Sequence, residues 1–145
     1  MRQQTLAIIK PDAVQRGLVG AILQRLEEEG FRIRALKMVH LTKAQAEAFY
    51  IVHRERPFYD SLTTYMSSGP IVVMVLERDD AIDHLRRVMG ATDPAQAAPD
   101  TIRRLYGLNI ERNAIHGSDS PESAASEISF FFSRWEILQT TGGGP

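Results

Sequence analysis

Between the turn Ser68-Gly69-Pro70 and the charged pair Glu77-Arg78 runs Ile71-Val72-Val73-Met74-Val75-Leu76, apolar at every position. A run this short, bounded by a turn and rich in β-branched residues, reads as a strand. Apolar on both faces, it has to be covered on both, which makes it central in its sheet. The rest of the chain supplies candidate partners. Thr5 to Ile9 is a second buried strand, ended by Lys10-Pro11-Asp12 because Pro lacks a ladder donor. Leu18 to Glu29 carries Leu18, Ile22 and Leu26 at helical spacing with Leu23 beside them, and Gly30 stops it. Phe31 to Leu41 reads as a strand with Phe31, Ile33, Ala35, Val39 and Leu41 on one face. Arg32, Arg34, Leu36, Met38 and His40 then share the other.

Thr42-Lys43-Ala44-Gln45 is a capping box that starts a helix at Lys43, running to about His53. A short helix from Tyr59 to Met66 follows Pro57. Asp79 or Asp80 caps the next, which ends at Gly90. The segment from Ala91 to Asn113 is loop-rich, with a helical turn over Thr101 to Tyr106. Ala114 to Gly117 is a short last strand, and Pro121 to Phe132 the last long helix. Strands alternating with helices give an α/β sandwich. We expect one domain over residues 1–138 and a mobile polar tail over 139–145.

The formal net charge of −1 gives no electrostatic footprint for nucleic acid or membrane. With no cysteine, disulfides and thiolate chemistry are excluded, and a cytoplasmic location is expected. No apolar run is long enough to span a bilayer, and the N-terminus has no basic-then-apolar signal pattern.

The densest chemistry lies in Asn113-Ala114-Ile115-His116-Gly117-Ser118-Asp119-Ser120, followed by Pro121-Glu122. Ser120 suits a helix N-cap, Pro121 the first helical position and Glu122 the positive end of the helix dipole. His116 therefore stands just before a helix N-terminus, a place that attracts anions. Gly117 would let a substrate approach the backbone beside the imidazole. A neutral imidazole nitrogen is a nucleophile near pH 7, best when its other nitrogen donates to a fixed acceptor. Glu127, two turns into the helix, could fold back as that acceptor. A single His near a strand end is usually structural; here it is the crowding of special residues that argues for chemistry.

The standard phosphate cradle, Gly-x-x-x-x-Gly-Lys-Ser/Thr, is absent, as are the protein-kinase signatures. Any phosphate would be held by side chains, and Lys10, Arg56, Arg86, Arg87, Arg103, Arg104 and Arg112 are candidates, arginine being suited to bidentate contacts.

The motif Asn-x-x-His-Gly-Ser-Asp-Ser resembles the signature of the nucleoside diphosphate kinases, and the resemblance runs from Thr5 to about Phe132. It implies a ferredoxin-like fold with a four-stranded antiparallel sheet covered by helices. It also implies a ping-pong reaction in which His116 takes the γ-phosphoryl of a nucleoside triphosphate and passes it to a nucleoside diphosphate. By the same resemblance Glu127 orients His116, Ser118 holds Glu127, and Tyr50 stands beside the imidazole. Lys10 matches the lysine of the family's Ile-Lys-Pro-Asp stretch; with Asn113 it would take the ribose hydroxyls and nearby phosphate. Arg86 lies six residues before Thr92, the family's spacing for its phosphate-binding pair, with Arg87 the competing choice. Arg103 matches the arginine of Thr-Ile-Arg. Phe58 matches the aromatic on which the base stacks, and Ile110 or its neighbour would cover the other face. Mg²⁺ bridging the phosphates is implied, without direct protein ligands.

Three departures fall in one loop. Asp93 stands where the family usually has Asn, Asp100 where a Gly usually precedes Thr101, and Arg104-Leu105-Tyr106 lacks the acidic residue that often follows Arg103. A carboxylate near a phosphate is unfavourable unless it faces away, so the aim of Arg103 hangs on this loop. Two other functions compete with kinase activity: a scaffolding relative that kept the fold and lost the reaction, and a ferredoxin-like RNA-binding module, which would want exposed aromatics and a basic excess. The strand holding Leu36 and Met38 has no cleanly polar side, which suits edge-to-edge pairing in a dimer. The resemblance implies dimers assembled further into tetramers or hexamers.

Overall fold

The computed structural model describes residues 2–138, so the expected tail at 139–145 lies outside the described residues. Its four strands are β1 (Arg2–Ile9), β2 (Arg32–Val39), β3 (Ile71–Asp79) and β4 (Ile115–Gly117). They form one antiparallel sheet in the order β2-β3-β1-β4, with the two most apolar strands in the middle. The helices are α1 (Pro11–Gln15), α2 (Val19–Glu28), α3 (Lys43–Phe49), α4 (Tyr59–Met66), α5 (Ala81–Met89), α6 (Ile102–Tyr106) and α7 (Pro121–Phe131). Both sheet faces are covered, as the apolar run of β3 requires. Val72, Met74 and Leu76 pack under Ile22 and Leu26 of α2 and Leu85 and Met89 of α5. Val73 and Val75 pack with Ala46 of α3, Tyr65 and Met66 of α4 and Phe131 of α7.

The Thr42 capping box is present with both of its bonds, Gln45 N–H to Thr42 Oγ1 at 3.1 Å and Thr42 N–H to Gln45 Oε1 at 2.9 Å. The helix it starts ends at Phe49, and the remaining stretch to His53 is a single 3-10 turn. Asp80 occupies the N-cap position of α5 in a left-handed conformation, yet its side chain does not cap. Gln3 reaches across from β1 and accepts from Ile82 N–H at 2.9 Å instead.

β2 departs from simple alternation. Ile33 pairs with Leu76 and Ala35, not Arg34, pairs with Val75, so Arg34 is an extra residue in a β-bulge. The bulge reverses the facing of everything after it. Ile33 joins the core under α2 and α5, and Ala35 joins the opposite core, so the single shared face read from the sequence does not hold. β2 is an edge strand, and beyond the bulge Leu36 and Met38 are 47% and 59% exposed.

Candidate active site

Alternation along β4 sorts its three residues. Ile115 and Gly117 face the α2/α5 core, and His116, paired with Ile8 of β1, faces α3 and α7. On that side α7 returns Glu127 to the imidazole. Its Oε1 lies 2.8 Å from His116 Nε2 and also accepts from Ser118 Oγ at 2.9 Å. Ser118 is fully buried, and its backbone N–H donates to Leu6 O of β1. The carboxylate is therefore fixed from two sides, and it fixes the ring. The helix that carries it starts where expected, with Ser120 Oγ accepting from Ser123 N–H at 3.0 Å and Pro121 in the first turn.

Gly117 is required for a different reason from the one the sequence suggested. A Cβ there would stand 2.8 Å from Leu85 Cδ2 and from Met89 Sδ, so α5 sits against this glycine too closely for any side chain. The strand is reached through Ala114 at φ 76°, a left-handed conformation uncommon for alanine.

His116 opens into a cavity of about 450 Å³. Lys10, Tyr50, Phe58, Arg86, Thr92, Arg103, Ile110, Asn113 and Glu127 all line it, whereas Arg56, Arg87, Arg104 and Arg112 do not. Arg87 instead points to Asp80 at 3.4 Å on the surface, so of the two it is Arg86 that lines this cavity. Ser118 stands behind Glu127 without lining the space.

The polar end of the cavity is tightly held. Lys10 Nζ donates to Asn113 Oδ1 at 2.9 Å and to Glu111 O at 3.0 Å. Asn113 Nδ2 donates to Thr92 O and Ile110 O. Arg103 donates to Gly90 O at 3.1 Å and Ile115 O at 2.9 Å, while its Nε is buried without a partner among the described residues. Burial, then the nearby Arg103 cation, pushes the Lys10 amine down to about 8, against the pull of Asp12 and Glu111. Burial, then Arg86, lowers Arg103 to about 10, so it remains a cation at neutral pH. The Tyr50 ring meets His116 edge-on at 6.1 Å. Burial and then the Glu127 charge hold its hydroxyl proton well beyond the ordinary tyrosine range.

The other end is apolar and open. Phe58, just before α4, is 46% exposed and Ile110, in the loop after α6, is 60% exposed, and these two segments are the lips of the cavity here. Leu62, one turn after Phe58 on α4, and Val52 extend the same lip. Sequence reasoning missed both; the i, i+4 relation of Phe58 and Leu62 was the available signal for the first. It missed Phe49 as well, which packs edge-on against His116 at 5.6 Å.

The loop departures face away from the cavity. Asp93 Oδ1 accepts from Ala95 N–H at 3.0 Å, capping a 3-10 turn over Pro94–Gln96, and neither Asp93 nor Asp100 lines the space. Arg104 donates to Ala95 O and Ala97 O of the same loop. Among the described residues, no helix is long and apolar enough to cross a membrane.

A histidine held by a carboxylate stands here beside two guanidiniums, a lysine and an apolar slot, in a chain that resembles known proteins over nearly its whole length. The family model of nucleoside diphosphate kinase matches residues 3–137. The nucleoside diphosphate kinase of Desulfosudis oleivorans is 60% identical over 136 residues, covering 94% of this chain and 98% of that protein. That of Desulfovibrio desulfuricans is 60% identical over 139 residues, covering 96% and 100%. The crystal structure of the Aquifex aeolicus nucleoside diphosphate kinase superposes with a TM-score of 0.94 at 51% identity, over 95% of this chain and all of that one. A halophilic nucleoside diphosphate kinase from Halobacterium salinarum, solved in complex with CDP, gives 0.93 at 39% identity over 99% and 95%. With a family match over nearly its full length and relatives this similar, the chain belongs to the nucleoside diphosphate kinase family.

Proposed function

We propose that this nucleoside diphosphate kinase works through a phosphohistidine at His116. The observation that carries the reading is the 2.8 Å contact of His116 Nε2 with Glu127. With Nε2–H donated to the carboxylate, Nδ1 holds the lone pair. Nδ1 attacks the γ-phosphorus of a nucleoside triphosphate, the bond from phosphorus to the β–γ bridging oxygen breaks, and nucleoside diphosphate leaves. A second nucleoside diphosphate then attacks through a terminal β-phosphate oxygen, the P–N bond breaks, and Nδ1 recovers its lone pair. Arg86, Arg103, Thr92 and Lys10 stabilise the charge on the equatorial oxygens. Glu127 offsets the positive charge on the phosphorylated ring. Tyr50 and Phe49 wall the imidazole, and Phe58 and Ile110 sandwich the base.

The residues fit a phosphate-bound Mg²⁺. Of the three carboxylates lining the cavity, Glu127 is engaged by His116 and Ser118 and Glu111 accepts from Ser61 Oγ, while Asp119 is exposed and accepts from Ser123 Oγ and from its own backbone N–H. Asp119 would face the ion, which prefers phosphate oxygens and water to a protein cage. When bound, Mg²⁺ supplies charge neutralisation at the bridging phosphates.

Incubation with γ-labelled ATP is expected to give an acid-labile, base-stable label on His116. His116→Ala should lose label and turnover together; near wild-type turnover would refute the assignment. Glu127→Gln should slow phosphorylation roughly 10–100-fold, by analogy with partners of metal-bound histidines.

The exposed edge of β2 with Leu36 and Met38 supports a dimer paired through this strand, assembled further into a tetramer or hexamer. Light scattering should then find no monomer at micromolar concentration. The absence of cysteine agrees with a cytoplasmic setting.

Neither alternative is favoured: the family match speaks for the kinase, and the loop departures that hinted at a silent relative point away from the site.

A further inference from the structure

A separate cavity of about 330 Å³ is lined by Pro11 and Asp12, the two residues after Lys10, and by Arg16, Tyr65 and Arg112. At its base Asp12 and Tyr65, both buried, grip each other twice. Tyr65 Oη accepts from Asp12 N–H at 2.8 Å and donates to Asp12 Oδ1. Neither residue lines the nucleotide cavity.

Three elements meet at this pair. Asp12 opens α1, two residues after Lys10. Tyr65 sits on α4, the helix that has Phe58 at its N-cap position and carries Leu62. Arg16 holds Asp12 O at 3.1 Å and Asp12 Oδ2 at 3.2 Å, and also donates to Tyr106 O, where the opposite lip begins. Arg112 closes the circuit from that lip, its guanidinium 5.2 Å from the centre of the Tyr65 ring. It lies between Glu111 and Asn113, the two residues that receive Lys10 Nζ.

We infer that the Asp12–Tyr65 pair positions the nucleotide site, fixing the Lys10 turn against both lips of the base slot. The pair touches no substrate atom. Its effect is on where Lys10, Phe58 and Ile110 stand relative to one another, so it governs nucleotide binding first and reaches the reaction at His116 only through Lys10. Charge adds to this. Lys10 is faced by Arg103 from α6, by Glu111 from the lip and by Asp12 from its own turn, and the carboxylates favour its charged form.

The inference rests on the His116 reading, and the test separates the two. Phosphoramidate is a phosphoryl donor with neither base nor ribose, so labelling of His116 by it reports the imidazole and its phosphate contacts without the slot. Equilibrium titration with ADP reports the slot. Tyr65→Phe keeps the ring under Arg112 and removes both hydroxyl bonds. It is expected to weaken ADP about tenfold and to lower phosphoramidate labelling by a clearly smaller factor, since of the groups on the transferring phosphoryl only Lys10 is displaced. Asp12→Asn should do the same and also move the alkaline inflection of ADP binding to lower pH, which loss of packing alone would not do. If Asp12→Asn does not fold, Arg16→Gln cuts the tie to Tyr106 and replaces it. ADP affinity within twofold of wild type in Tyr65→Phe and in the second variant would overturn the inference. An equal loss of phosphoramidate labelling would also overturn it, since the pair would then act on the whole fold. Failure of phosphoramidate to label the wild-type protein would instead count against the phosphohistidine.

Discussion

Lys10 and Phe58 line one cavity and are held in opposite ways. Lys10 is 6% exposed and gives its ammonium to two acceptors on a single lip. Phe58 is 46% exposed and offers only a ring face. The polar end is built so that any displacement breaks a buried hydrogen bond, each costing on the order of 1–3 kcal/mol. The Phe58 ring can tilt without breaking a side-chain hydrogen bond, since it makes none. Under the proposed reading, such a site would demand a phosphate chain in one place and tolerate whatever base is attached, because stacking reads a π-face and no base edge.

Arg103→Ala should produce the largest effect. The cation that faces the transferring group is lost, and turnover should fall about 10²–10³-fold, the scale seen on removing a donor to a developing charge. The carbonyls of Gly90 and Ile115 would also lose their donor, so the melting temperature should drop as well. A change below tenfold in turnover would mean the polar end is less exacting than its geometry.

A smaller effect is expected from pH. Lys10 is charged below about 8 and neutral above it, while nucleotide phosphates are already ionised by then. ADP affinity should therefore fall as pH rises through 8, and Lys10→Met should remove that inflection. The sign for stability is the reverse. The folded amine releases its proton near 8 and the unfolded one near 10.5, so the free protein gains stability between those values as pH rises. Titrations of ADP binding and of thermal unfolding over pH 7–10 should move in opposite directions.

The smallest effect should come from the open lip. Phe58→Ala removes stacking on a half-exposed ring, about 1 kcal/mol at the low end of the range for base–aromatic contacts, or roughly fivefold in KM. Discrimination among ATP, GTP, CTP and UTP should stay far below the ~10⁴-fold of a buried hydrogen-bond readout. A strong preference for one base would show that the two ends are more alike than they look.

The same contrast runs through what the chain discloses as a sequence. Local signals were legible: the apolar run of β3, the Thr42 capping box, and the Ser120-Pro121 start of α7 are each decided by neighbours in sequence. Contacts across the fold were not. Nothing near Asp80 announces that Gln3 will cap α5 in its place, and nothing near Lys10 names Asn113 as its acceptor. The β2 bulge defeated an argument that assumed unbroken alternation, since one inserted residue reverses every side chain after it. α1, at five residues, is too short to show a period. The site residues came into view mainly because the motif around His116 is long and its family resemblance selected among seven cations that composition alone leaves equal.

The pairing of β4 with β1 has a consequence for the order in which a newly made chain becomes active. Of the four described strands β1 comes first in the chain, and β4, which carries His116, comes last. β2, β3 and β1 can assemble a three-stranded sheet with one side of β1 still open. That gap is filled by just three residues, in register Ala7 with Gly117, Ile8 with His116 and Ile9 with Ile115. Such long-range, short-strand pairings form late, after loop closure between distant parts of the chain. If His116 is the phosphoryl acceptor proposed above, nucleophile and last-paired strand arrive together, and a nascent chain has no acceptor until this sheet is complete.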